Sequence, residues 1–257
     1  MAGGNAVNLT IEGRVARVTL NRPPLHILDL PTLDEYSSLL AQLDREQGVV
    51  VCVLESAGDK AFSTGVDVKA HTPDKVGAML ERFHTVIRKV RRLDCVTVAA
   101  VRGVALGGGF ELALACDMIV AEEGSTFGLP EIWLGCFPPV AAAVLPRHVA
   151  PQKAYEIVLS GEPITVQEAA QMGLVNAVAQ RGKMEETLER FVSLFTEKSA
   201  AALRVAKRAL RISEETAFGP ALEEMERIYL EDLMRTEDAR EGIQAFLEKR
   251  EPKWKDR

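Results

Sequence analysis

The sequence predicts an α/β fold in which a helix-covered sheet gives way, towards the C-terminus, to helices alone. Three observations predict it. Short β-branched apolar runs at residues 49–54, 96–101 and 118–121 alternate with longer stretches of helical periodicity, as strands joined by crossover helices do. Past Pro138 such runs almost vanish. Residues 183–249 are charged and helical in pattern, with breaks only at Gly182, Gly219-Pro220 and Gly242.

Residues 7–20 alternate apolar and polar about Glu12-Gly13 and read as a hairpin entering the sheet. Pro31 opens a helix ending near Leu43 that carries Leu33, Leu39, Leu40 and Leu43 on one face, ahead of the buried strand at 49–54. A second β-α-β unit runs through a helical region at 73–93, a strand at 96–101, a glycine-rich turn at 103–109, a helix to Ala115 and a strand at 118–121. Further on, 154–159 reads as helix. Residues 165–172 form a helix with Thr165 and Glu168 as capping box and Gly173 as its stop, and 174–178 is one last strand.

With 257 residues, 47% of them hydrophobic, the chain can build one large core without staples. Cys52, Cys95, Cys116 and Cys136 stand singly, without zinc or redox spacing, so reduced thiols and a cytoplasmic location are expected. Residues 1–6 lack the charge and apolar stretch of a signal peptide, and no apolar run approaches the about 18 residues of a membrane span. No membrane partner is expected. The net charge of −6 argues against nucleic acid, so any polyanionic ligand must be met by a local cluster of Lys and Arg.

Two glycine-bearing loops follow buried strands: Lys60-Ala-Phe-Ser-Thr-Gly-Val-Asp-Val-Lys69 and Gly103-Val-Ala-Leu-Gly-Gly-Gly-Phe-Glu111. Backbone N–H groups in such loops can hold an oxyanion. An isolated Gly65 is also ordinary turn punctuation, whereas three glycines running into a helix weaken the local fold and imply close backbone approach. Neither a dinucleotide fingerprint nor a P-loop is matched.

Glu111 and Glu131 each sit amid apolar residues, where desolvation raises a carboxyl pKa towards the range of proton transfer, and a neighbouring pair divides into an acid and a base. From pattern alone the helix-dipole role is the stronger reading, since most single Glu residues in first turns serve it. His26, His71, His84 and His148 are scattered, without metal-ligand spacing, and read as solvated or packing side chains; no metal site is expected. Ser63 lacks a nucleophile elbow, and Asp67 and Asp117 read as loop anchors.

The segments Asn21-Arg-Pro-Pro24, Lys60 to Lys69, Ala105-Leu-Gly-Gly-Gly-Phe-Glu-Leu-Ala113, Phe127-Gly-Leu-Pro-Glu-Ile-Trp-Leu-Gly135, Gly161 to Ala169 and Phe246 to Trp254 occur in the order found in one superfamily. On these the chain resembles the crotonase superfamily of enoyl-CoA hydratases and isomerases over nearly its whole length. The resemblance implies a crotonase-like spiral of β-β-α turns over 1–190 and a C-terminal helical subdomain over 191–257 that trimerises, commonly as a dimer of trimers. It assigns the oxyanion hole to the N–H groups of Val66 and Gly108, and catalysis to Glu111 and Glu131. Of the pair, one activates water and the other protonates the α-carbon. Having both favours a hydratase over an isomerase, and a noncatalytic CoA- or RNA-binding scaffold is the remote alternative. Coenzyme A is part of the substrate, with no other cofactor, and is implied near Arg22, Pro24, Ala61, Ser63, Gly65, Asp67, Lys69 and Lys255. The tract Cys136-Phe-Pro-Pro-Val-Ala-Ala-Ala-Val-Leu-Pro-Arg147 departs from the usual glycine-rich stretch. With Phe110, Trp133 and Phe137 it implies a rigid apolar acyl pocket, similar to that of the cyclohexa-1,5-diene-1-carbonyl-CoA hydratases of benzoyl-CoA breakdown. His26 stands where the superfamily usually has Asn.

Overall fold

The structure, a computed structural model, describes residues 5–46, 48–214, 216 and 218–257; the N-terminal signal-peptide expectation falls partly on residues 1–4, outside them. The chain opens with the expected hairpin, β1 (Val7–Glu12) and β2 (Val15–Leu20), turning at Gly13 with φ +58°. Helix α1 (Leu30–Leu43) begins where Asp29 accepts the Thr32 N–H at 3.0 Å, with Pro31 in its first turn. It buries Leu33, Tyr36, Leu40 and Leu43.

Three β-β-α turns follow. They are β3 (Val51–Ser56), β4 (Ala61–Ser63) and α2 (Val76–Arg92); then β5 (Val96–Val101), β6 (Val104–Leu106) and α3 (Gly108–Ala115); then β7 (Met118–Glu122), β8 (Thr126–Gly128) and α4 (Pro139–His148). The first strand of each turn joins a six-stranded sheet and the second a four-stranded one. The large sheet runs β1-β2-β3-β5-β7-β10, where β10 is Ala177–Ala179, parallel throughout except for the hairpin. The small sheet runs β4-β6-β8-β9, with β9 at Ile164–Thr165. Strands β4, β6, β8 and β9 correct the sequence expectation, which had loops at 60–69 and 103–109, no element at 126–128 and a helix from Thr165. At two or three residues they are too short to show alternation. Strand β3 starts two residues later than expected, because the N–H groups of Val50 and Val51 both turn to the Arg14 carbonyl.

Strand β5 is buried at all six positions, as a central parallel strand must be. One face of the large sheet packs Cys52, Leu54, Ala99 and Val101 into the main core with α1 and α2. The other packs Val51, Val53, Val98 and Val120 against Leu188 and Val192 of α7 (Met184–Thr196). Between α4 and β10 come α5 (Pro151–Ser160) and α6 (Val166–Gln171). Helix α6 carries the expected Thr165–Glu168 capping box, with Gly173 at φ +82° beyond it.

The last helices are α8 (Ala200–Ser213), α9 (Phe218–Glu231) and α10 (Glu237–Glu248). Asp117 docks α8: its carboxylate takes Lys207 at 2.8 Å, Arg211 at 2.6 Å and the N–H of Thr97 at 2.7 Å. These helices leave large apolar side chains in solvent, among them Leu210, Leu230, Leu247 and Phe246, the last 82% exposed. Among the described residues no helix is long and apolar enough to cross a membrane.

Candidate active site

The spiral brings the two glycine loops side by side, because β4 and β6 are neighbours in the small sheet. Contact is close enough to need glycine. A Cβ on Gly109 would stand 2.2 Å from the Ser63 carbonyl oxygen, and one on Gly65, at φ +86°, would meet the Gly108 nitrogen at 2.8 Å.

The first loop is tied down from behind. Ser63 Oγ donates to the His26 carbonyl at 2.7 Å and accepts the Gly65 N–H at 3.0 Å. His26 Nδ1 accepts the Arg22 N–H at 3.0 Å, which leaves Nε2 as the donor to the Ala57 carbonyl at 2.8 Å. His26 adopts φ +52°, a conformation that Asn and His tolerate better than most residues. Gly65 O and Asp67 N bond Leu28 on either side of Val66, and no acceptor in the described residues takes the Val66 N–H. The Gly108 N–H, in the first turn of α3, is likewise free of any protein acceptor among them.

These two amides open on a cavity of about 380 Å³ lined by Val66, Gly108, Glu111, Glu131 and Phe137, with α2 forming one wall. Glu111 is 3% exposed. Its Oε1 accepts the N–H groups of Val140 at 2.8 Å and Ala141 at 2.9 Å, in the first turn of α4, where Pro138 has no side-chain cap to offer. Burial pushes its pKa from 4.5 up to about 7; the Ala141 and Val140 amides oppose the rise, and the Glu131 charge adds to it.

Glu131 stands on the 3-10 turn Pro130–Leu134. Its Oε2 is buried without a partner, and burial raises its pKa against the pull of its own backbone amide and of His71. Its Oε1 occupies the space that a side chain on Gly107 would fill, 2.8 Å from that absent Cβ. Gly107 takes φ +53° and donates to the Gly128 carbonyl at 2.8 Å, tying the second loop to the strand that leads to Glu131. Two carboxyls with raised proton affinity thus share one apolar cavity with two free N–H donors. Such a site can shuttle protons beside a developing oxyanion.

Other expected site residues lie elsewhere. Phe110 corrects the pocket expectation: it is fully buried and packs at a tilt against Phe127 in the core, ring centroids 5.1 Å apart. It points inward because it lies in the first turn of a short helix buried on all sides. Trp133 is a second correction, since its Nε1 donates to the Ser160 carbonyl at 2.9 Å and clamps the end of α5 instead of facing the cavity. Ala61, Ser63 and Gly65 build the first loop from inside. Arg22 is ion-paired with Asp29 at 2.7 Å, Pro24 is exposed beside it, and Asp67 caps the N–H of an exposed Lys69 at 3.0 Å. Lys255 pairs with Glu237 at 2.9 Å at the tail.

Sequence reasoning missed the α2 wall: Val76, Met79, Leu80, Phe83 and His84, together with His71. Met79 and Phe83 read as core because they are core, turned on the same face to the cavity. His84 carries a usable signal, four residues after Leu80 and three before Ile87 in the apolar stripe. Of the four histidines expected as solvated or packing side chains, His26 packs behind the first loop, whereas His71 and His84 line the cavity.

A mixed spiral carrying a carboxyl pair against two free amides describes an acid/base site of thioester type, and the comparisons give that class its family. A family model described as enoyl-CoA hydratase/isomerase matches residues 10–257. The 2,3-dehydroadipyl-CoA hydratase of Escherichia coli (strain K12) is 38% identical, covering 96% of this chain and 97% of its own. The cyclohexa-1,5-dienecarbonyl-CoA hydratase of Thauera aromatica is 33% identical, covering 96% and 95%. The crystal structure of an enoyl-CoA hydratase from Bacillus anthracis superposes with a TM-score of 0.93 at 32% identity, over 98% of this chain and 100% of that one. The chain belongs to the enoyl-CoA hydratase/isomerase family, with the crotonase fold, and is an enzyme of hydro-lyase type.

Proposed function

We propose that the enzyme adds water across the C2=C3 bond of an α,β-unsaturated acyl-CoA. The observation that carries this is the placement of Glu111 and Glu131 in one cavity with the unbonded N–H groups of Val66 and Gly108. The thioester oxygen accepts from both amides. One carboxylate takes a proton from water as its oxygen bonds to C3; the π electrons pass to the enolate oxygen and return as the other carboxyl delivers a proton to C2. Each amide supplies on the order of 3 kcal/mol to the charged transition state. Coenzyme A arrives as part of the substrate along the Arg22–Pro24 and Ser63–Lys69 loop, and no further cofactor takes part.

Two acyl groups have support within this reaction. The 136–147 tract and the Thauera relative favour the cyclic diene thioester, to which water adds in the 1,4 sense. The other relative favours a linear enoyl group. The exposed apolar side chains of α8 to α10 favour self-association as a trimer or a dimer of trimers.

Hydration is tested by following loss of the conjugated thioester absorbance with crotonyl-CoA and cyclohexadienecarbonyl-CoA in 18O-water. Solvent oxygen on carbon, abolished in Glu111→Gln and Glu131→Gln, is the expected result. A shifted double bond without oxygen uptake would replace hydration by isomerisation, and faster turnover of crotonyl-CoA would remove the cyclic substrate.

A further inference from the structure

Residues 25–28, between β2 and α1, lie against the first glycine loop and are bonded to it repeatedly. The Thr64 N–H donates to the Leu25 carbonyl at 3.0 Å, and Ser63 Oγ donates to the His26 carbonyl while accepting the Gly65 N–H. Leu28 donates to the Gly65 carbonyl at 2.9 Å and accepts the Asp67 N–H at 3.3 Å. Val66 sits between these last two contacts, so the place of its free N–H in the cavity follows the place of residues 25–28.

Little apolar packing holds that segment, because Leu25 and Ile27 turn to solvent and Leu28 alone of its aliphatic side chains is buried. Arg22 reaches the Ile27 carbonyl at 2.8 Å from the exposed side. From the buried side the anchor is His26, 1% exposed. Its N–H donates to the Arg22 carbonyl at 2.9 Å while its Nδ1 accepts the Arg22 N–H, so the two residues are locked reciprocally. Its Nε2 donates to the Ala57 carbonyl, one residue past the end of β3, and Ala57 donates at 2.9 Å to the carbonyl of Leu20, the last residue of β2. The imidazole therefore fastens the segment to the ends of two neighbouring strands of the large sheet. Burial keeps the ring below the ordinary imidazole pKa, and a neutral ring supplies the one acceptor and one donor that these contacts need. The same contacts hold the residue at φ +52°, the conformation in which its carbonyl meets Ser63 Oγ.

We infer that His26 is a positioning residue for the reaction: acting through Ser63 and Leu28, its imidazole sets where the Val66 N–H stands against the thioester oxygen. The inference rests on the proposed hydration, and in particular on its pair of oxyanion donors. His26 lies behind the loop and lines no part of the cavity, so it acts on the transition state only through the backbone it holds. A group displaced by about 1 Å from its productive place loses on the order of 100-fold in rate, and an oxyanion donor removed outright loses about 100- to 1,000-fold. Loosening the support of one of two donors should fall towards the lower end of that range.

The test compares the wild type with His26→Gly, which keeps the left-handed backbone and loses both ring contacts, and with His26→Asn, whose side-chain oxygen replaces Nδ1 as acceptor in the same conformation. Three readouts are taken: steady-state hydration of crotonyl-CoA, absorbance titration with acetoacetyl-CoA, whose enolate needs an oxyanion hole, and calorimetric binding of butyryl-CoA, a saturated thioester. His26→Gly should lose at least about tenfold in kcat and a similar factor in enolate affinity, with KM and butyryl-CoA affinity within about threefold of the wild type. His26→Asn should recover part of both losses. A His26→Gly protein that melts lower with kcat and enolate affinity unchanged overturns the inference, and so does a His26→Asn protein no better than His26→Gly. Equal losses for butyryl-CoA and the enolate also overturn it, since the segment would then serve coenzyme A binding alone. If His26→Gly does not fold, Ser63→Ala, which cuts the same path one bond further on, should show the same split, and unchanged enolate affinity in it overturns the inference. If the wild type binds the enolate but hydrates no thioester, the hydration proposal fails separately and the enolate titrations still decide on His26. If the wild type does not bind the enolate, the oxyanion hole and this inference fall together.

Discussion

Replacing Glu111 by Gln should abolish hydration and, at the same time, make the protein more stable above neutral pH. In the folded chain the carboxyl titrates at about 7 against an ordinary 4.5, chiefly because burial disfavours its charge. At about 1.36 kcal/mol per pH unit, this difference amounts to about 3 kcal/mol. The sign follows from which state releases the proton first. Below pH 4.5 the group is protonated folded and unfolded, and contributes nothing. As pH rises through 4.5 the unfolded chain ionises while the folded one holds its proton, so stability falls until about pH 7, where the loss is complete. Gln keeps an oxygen to accept the Val140 and Ala141 amides but cannot ionise. The variant should gain about 3 kcal/mol at pH 8.5, or about 6–12 °C in Tm for a chain of this size, and less than about 1 kcal/mol at pH 5. Urea titrations of both proteins at the two pH values, followed by circular dichroism, measure it. A gain that is the same at both pH values, or a loss at both, would refute the burial account of Glu111.

Other expectations follow from single contacts. Gly107→Ala places a Cβ 2.8 Å from Glu131 Oε1 in a backbone conformation alanine resists, so kcat should fall about 100-fold while the fold loses only about 1–2 kcal/mol; steady-state kinetics and thermal melts read the two. Asp117→Ala strips Lys207 and Arg211 of their shared carboxylate and should cost about 3–5 kcal/mol in urea titrations, with Asp117→Asn losing less. Sedimentation velocity should find the wild type larger than a monomer, and Phe246→Glu, which charges an aromatic ring 82% exposed on the last helix, should move it towards smaller species.

The large sheet was legible because its strands are long, apolar and β-branched: β5 matched residue for residue, and β7 missed by one. The small sheet was not, since strands such as Thr126–Gly128 owe their pairing to neighbours far along the chain. The carboxyl pair needed the resemblance, because nothing within a helical turn of Glu111 reveals that its partners are the amides of residues 140 and 141. Phe110 and Trp133 failed as pocket residues for one physical reason. Their side chains are committed elsewhere, to Phe127 and to the Ser160 carbonyl, and no local pattern records which way a ring turns.

Glu111 also closes the N-terminal end of α4, and this makes the protonation state of the site audible at a distance in the chain. A charged acceptor draws an amide proton harder than a neutral one does. The NMR resonances of the Val140 and Ala141 amide protons should therefore move together with pH, through a single step near the carboxyl's own midpoint, and cease to do so when the carboxyl is made an amide. The helix becomes an indicator wired to the proton that the chemistry needs, readable with no substrate present.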